Sequence, residues 1–134
     1  MAVAEKRAVL PCSLTRVWDT VTSLKNVEWR SDLCRIEVVE PQKKFIEYTK
    51  QGIATVFTIT CIEPMRRYEF DMENDNMAGH WAGAFAEKDG AVEAVFTEAV
   101  TAKKWNLKPF VGLYLKRQQA VYFKDLKRAL GLEA

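Results

Sequence analysis

The chain has 134 residues, of which 49% are hydrophobic and 28% charged, and a formal net charge of +2. This is the composition of one globular domain, expected to span residues 1–134, and it excludes intrinsic disorder because enough apolar surface is present to offset chain entropy. The longest uncharged stretch, Gln51–Ile62, falls short of the about 20 apolar residues a membrane-spanning helix needs, and the N-terminal MAVAEKRAV lacks the apolar core of a secretory signal.

The first segment, Glu5–Leu10, reads as a strand closed by Pro11. Ser13 is placed to cap a helix whose apolar stripe is Leu14, Val17, Trp18, Val21 and Leu24. The polar stretch Asn26–Asp32, which contains Trp29, has room for one more helical turn, and Arg30 and Asp32 read as a local surface pair. Six apolar-rich segments follow: Arg35–Glu40, Lys44–Lys50, Ile53–Glu63, Arg66–Met72, Ala78–Lys88 and Ala91–Ala102. Pro41-Gln42, Gln51-Gly52, Pro64, the run Glu73–Asn76 and Asp89-Gly90 punctuate them, the last being a strong hairpin signal. Tyr68, Phe70 and Met72 alternate with Arg67, Glu69 and Asp71, the pattern of an antiparallel strand with one wet face. Trp105–Lys108 is a linker, and Pro109 opens a helix running to Leu130, about 33 Å long at about 1.5 Å per residue. On that helix Val111, Leu115, Gln119, Tyr122, Phe123, Leu126, Ala129 and Leu130 share one arc, and Lys116, Arg117, Lys124, Lys127 and Arg128 the adjacent one.

The predicted fold class is α+β: a curved antiparallel sheet of six to seven strands gripping a long C-terminal helix, with one or two short helices after the first strand. Gly112 on the sheet-facing arc, and Gly79 and Gly83 beside Trp81 and Phe85, suggest either space between helix and sheet or simple relief for strand curvature. Residues 63–102 carry a net charge of −6 and residues 103–134 a net +6. On these elements the split reads as complementarity between the acidic strands and a basic flank of the helix, rather than as a nucleic-acid footprint. Cys12, Cys34 and Cys61 form no CxxC pair and have only His80 beside them, so they are expected to be reduced, mostly buried thiols of a cytoplasmic protein, with no metal and no cofactor.

Three stretches carry a resemblance: Ser13–Glu40, with its capped helix and Trp29 leading into an Ile/Val-rich strand; Gly79–Gly90, GHWAGAF with its EKDG turn; and Val95–Val100, VFTEAV. Over nearly its whole length the chain resembles the START-like (SRPBCC) helix-grip superfamily, in its bacterial polyketide cyclase/dehydrase and lipid-transport-like branch. Ala91 departs from the Gly-Thr pair often found at the start of that strand. The resemblance implies a pocket between sheet and long helix for a hydrophobic or amphipathic small molecule, without implying one activity.

Trp81, Phe85, Phe96, Tyr68, Phe70, Leu115, Gln119, Tyr122 and Trp29 are the expected ligand-binding residues. Gln119 and Tyr122 can present polar tips that orient a ligand in a mostly apolar pocket, although Gln119 can equally bond a backbone group. Tyr48 is a weaker candidate, and Trp29 can act as packing anchor or pocket cover. Glu98 follows Phe96 on the same face; a carboxylate there is desolvated and suited to proton transfer, the bland alternative being a wet strand end or a pair with Arg117. His80, one residue from Trp81, is expected on the opposite face. No phosphate loop, HExxH or GxSxG is present. The leading expectation is therefore binding or carriage of a lipid- or polyketide-like molecule. The alternatives are a cyclase/dehydratase-type enzyme using Glu98 in the same cavity, and a partner-binding module using the basic helix flank. Neither nucleic acid nor integral membrane association is expected, and the oligomeric state is left open.

Overall fold

The computed structural model describes residues 1–132; the expected domain end at Ala134 lies outside them. Ten elements follow in order: β1 (Ala2–Leu10), α1 (Leu14–Thr22), β2 (Leu33–Glu40), β3 (Lys44–Thr49), β4 (Ala54–Glu63), β5 (Arg67–Glu73), β6 (Met77–Lys88), β7 (Ala91–Ala102), a 3-10 segment (Trp105–Phe110) and α2 (Val111–Ala129). The seven strands form one antiparallel sheet in the order β1-β7-β6-β5-β4-β3-β2. The meander from β2 to β7 needs only tight turns. Asp89 and Gly90, at φ 53° and 78°, supply the left-handed pair a two-residue hairpin requires. Register shifts within β2 and between Ile59 and Cys61 of β4 mark where the sheet bends.

Period-two alternation sorts the side chains. From β7, Val92, Ala94, Phe96, Val100 and Ala102 are buried, and they meet Trp81 and Phe85 of β6, Tyr68 and Met72 of β5, Phe57 of β4 and Phe45 of β3. Helix α2 lies against β1 and β7 and buries Val111, Leu115, Gln119, Phe123 and Leu126. Ser13 caps α1 by accepting the Arg16 backbone N–H at 3.2 Å, and α1 buries Val17, Trp18 and Val21.

Several expectations need correction. Of the one or two short helices expected after β1, one forms, and the helical turn for which Asn26–Asp32 had room does not. The linker Trp105–Lys108 winds into the 3-10 segment, so α2 begins at Val111 instead of Pro109. The cysteines are free but not mostly buried: Cys34 is exposed, and Cys12 and Cys61 are partly so. The glycines of β6 leave no cavity. A Cβ on Gly83 would sit 2.6 Å from the Trp81 ring, and one on Gly79 would sit 2.5 Å from the Ala99 carbonyl oxygen, so both spaces are already filled. Among the described residues, no ion pair joins the basic flank of α2 to the acidic strands, since Arg128 pairs with Asp125 of its own helix. The acidic strands are neutralised on the sheet instead: Arg67 meets Glu69, His80 bridges Glu69 and Asp71 at 2.7 Å each, and Lys103 meets Glu73 at 2.6 Å. Burial opposes the imidazolium of His80, but the two carboxylates outweigh it and raise its pKa.

Candidate ligand cavity

Gln119 sits in the apolar arc of α2, where an unpaired amide is costly. Its Nε2 donates to the carbonyls of Ala4 (3.1 Å) and Phe96 (3.2 Å), tying the helix to β1 and β7 at one edge of the sheet. Toward β2 through β5 the sheet curves away from the helix and leaves a partly open cavity of about 140 Å³. Its walls are aromatic: Phe45 and Phe57 stack at 4.8 Å, Phe70 and Trp81 stack at 4.9 Å, and Phe96 and Tyr122 meet edge-on at 5.5 Å. Trp29 lines the same space, with its ring on Tyr122 at 5.4 Å and its Nε1–H donated to the Asn26 carbonyl at 3.1 Å, so it serves as anchor and wall together.

Of the expected ligand-binding residues, Trp29, Tyr68, Phe70, Trp81, Phe96, Gln119 and Tyr122 line the cavity. Phe85 and Leu115 do not. Phe85 is buried against Trp18 (5.4 Å) and Phe96 (5.8 Å), and Leu115 is fully buried in the core between α2 and the sheet. Tyr48 also lies outside, stacked on Arg35 at 3.8 Å and donating to Glu37 at 3.3 Å.

Glu98 lines the cavity, directly opposite Trp81 in the β6–β7 register. It makes no ion pair or hydrogen bond among the described residues, with Arg117 or any other group. Burial pushes its pKa up to about 7, Arg30 opposes that shift, and Glu47 reinforces it. Tyr68 is only 4% exposed, and no protein group pairs with its hydroxyl, which therefore opens onto the cavity. Burial, helped by Glu47, lifts its pKa to about 12.

The polar heart of the cavity is the expected Arg30–Asp32 pair, joined by Glu47 and carried into the interior, which the sequence did not indicate. Arg30 is not on the surface. Its Nε and Nη2 hold Asp32 at 3.1 and 3.0 Å, Nη1 lies 3.5 Å from Glu47, and its guanidinium sits 4.9 Å from the Tyr122 ring centroid. Burial works against the charge on Arg30, but the two carboxylates more than compensate and hold its pKa above the ordinary value. Glu47 is pushed up by burial despite Arg30. A signal for Glu47 existed, because it alternates in phase with Phe45 on β3, as Glu98 does with Phe96 on β7. Arg30 had none, since its partner Glu47 lies on another element. The loop carrying Trp29 and Arg30 is fixed to α2 by Asp125, itself 2% exposed, which accepts Ser31 N–H (2.8 Å), Ser31 Oγ–H (2.7 Å) and Arg128 (3.0 Å).

No protein-family model matches the sequence, and no curated protein matches it by sequence. Solved structures do match by shape. A START superfamily protein from Mycobacterium smegmatis superposes with a TM-score of 0.87 at 8% identity, covering 96% of this chain and 97% of that one. A conserved protein from Geobacillus kaustophilus gives 0.81 at 12% identity, covering 96% and 95%. DynU16, a putative protein of the dynemicin biosynthetic locus, gives 0.79 at 13% identity, covering 98% of this chain and 48% of that one. The chain has the START-like helix-grip fold.

Proposed function

We propose that the protein binds a compact apolar or amphipathic molecule in the cavity between sheet and C-terminal helix. One observation carries this reading: the Tyr68 hydroxyl, unpaired in a residue 4% exposed, opens onto an aromatic-walled space. The hydroxyl faces the cavity without a protein partner and is free to bond a guest, and a net hydrogen bond contributes about 0.5–1.5 kcal/mol. The size narrows the class. An apolar cavity of about 150 Å³ accepts a benzene-sized guest, whereas drug-sized ligands occupy pockets from about 300 Å³ upward. At about 140 Å³ the site suits a one- or two-ring head, and a whole polyketide or acyl chain needs it to widen. The free thiols favour a cytoplasmic setting. Among the described residues no helix is long and apolar enough to cross a membrane. Native mass spectrometry and two-dimensional NMR titration with a panel of one- and two-ring compounds test the reading. Shifts confined to cavity-lining residues are expected, and a panel with no binder refutes it.

A second reading, acid–base catalysis on such a molecule, is favoured by Glu98, whose pKa of about 7 suits proton transfer near neutral pH. Under this reading E98Q keeps binding and loses turnover of a cyclisable substrate; a variant that still turns over excludes Glu98 as the acid–base group.

A further inference from the structure

The cavity holds three carboxylates, Asp32, Glu47 and Glu98, against one guanidinium, Arg30. Arg30 has no fork left for a ligand anion: Asp32 takes Nε and Nη2, Glu47 stands 3.5 Å from Nη1, and Tyr122 covers one face. Gln119 directs its amide hydrogens to backbone carbonyls, away from any guest. Among the described residues, the one charged group of the cavity left without a partner is the Glu98 carboxylate, flanked by Trp81 opposite it and Phe96 on the same strand face; the other polar groups on offer are neutral, among them the hydroxyls of Tyr68 and Tyr122. A ligand carboxylate entering this space meets an excess of negative charge and only neutral donors, the hydroxyls of tyrosine, serine and threonine and the Gln118 amide. A protonated amine meets an acceptor carboxylate and aromatic faces that attract cations.

We infer that the cavity selects a ligand whose aromatic body carries a basic nitrogen directed at Glu98, and discriminates against the matching anion. This inference rests on the ligand-binding reading above and adds the charge of the ligand to it.

The experiment compares three probes of one ring and similar reach: 2-phenylethylamine, 2-phenylethanol and phenylacetate. Dissociation constants are measured by NMR titration of the full chain at pH 8.5 and pH 5.5. At pH 8.5 the amine is expected to bind at least tenfold more tightly than phenylacetate, with the alcohol between them. In E98Q that gap is expected to shrink to threefold or less. At pH 5.5 the wild-type gap is expected to shrink as well, because Glu98 takes up a proton. The groups facing Glu98 are Arg30 and Asp32 from the loop, Glu47 from β3, Tyr68 from β5, and Tyr114 and Tyr122 from α2. Of these Glu47 is also raised by burial and moves in the same direction, and the E98Q comparison separates the two. Phenylacetate binding as tightly as the amine at pH 8.5 overturns the inference while the alcohol's binding upholds the cavity. An amine preference undiminished in E98Q overturns the assignment to Glu98. If none of the three probes binds, the ligand-binding reading falls and this inference falls with it.

Discussion

Replacing Glu98 by glutamine keeps the side chain's shape and removes its charge, so the variant measures what an unpaired carboxylate costs the folded protein. Glu98 has an ordinary pKa of 4.5 and a folded value of about 7. The folded state therefore holds its proton more tightly than the unfolded chain does. Below pH 4.5 both states are protonated and Glu98 imposes no penalty. Between pH 4.5 and 7 only the folded state keeps the proton, so stability falls as pH rises, and above pH 7 the loss is complete. At about 1.4 kcal/mol per pKa unit the loss is at most about 3 kcal/mol. E98Q is expected to match the wild type within about 0.5 kcal/mol at pH 4.5 and to exceed it by about 2–3 kcal/mol at pH 8.5, near 10 °C in Tm for a chain of this size. Urea denaturation at the two pH values reads this directly. His80 titrates in a neighbouring window: its stabilisation is fully present below pH 6.5 and is lost as pH rises through its raised folded value. It is common to both proteins and cancels in their difference. An E98Q variant no more stable than wild type at pH 8.5 would refute the claim that this carboxylate is desolvated and unpaired.

Three further outcomes separate site from scaffold. Tyr68→Phe is expected to leave urea stability within about 0.5 kcal/mol, because the hydroxyl it removes has no protein partner, and to weaken binding of a cavity ligand about tenfold in NMR titration. Gly83→Ala places a methyl group 2.6 Å from the Trp81 ring, so thermal denaturation should show a loss of about 1–3 kcal/mol and Trp fluorescence should report a displaced indole. Asp125→Ala strips the Ser31 N–H and hydroxyl and Arg128 of their acceptor, an expected cost of about 3 kcal/mol in urea denaturation.

The strands were legible because their signals are local. Asp89-Gly90, Gln51-Gly52 and Pro64 punctuate the meander, and Ala91–Ala102 has the bounds expected from its alternation. Alternation also put Glu98 in phase with Phe96. Phase assigns a side chain to a face of the sheet or an arc of the helix but not to a position along it, which is why Phe85 of β6 and Leu115 of α2, in phase with the cavity wall, lie in solid core outside the cavity. Gln119 was equally ambiguous, since an amide in an apolar arc can serve a ligand or the backbone, and only the placement of Ala4 and Phe96 settles which. The Arg30–Asp32 pair is local and was legible, but its burial against Glu47 is tertiary. That burial needs the β2–β3 hairpin to bring Glu47 under the loop, and no spacing in the chain encodes that encounter.

Asp125 has a consequence for how occupancy would be sensed. It lies near the C-terminal end of α2, yet its carboxylate holds the loop whose next two side chains back along the chain, Arg30 and Trp29, form part of the cavity wall. Loop and helix end are thus one mechanical body, and a guest that quiets Trp29 also quiets the last turns of the helix. Amide hydrogen exchange at Leu126–Ala129 should slow when the cavity fills, although none of those residues touches it. The helix terminus is a gauge, readable from outside, of whether the cavity is filled.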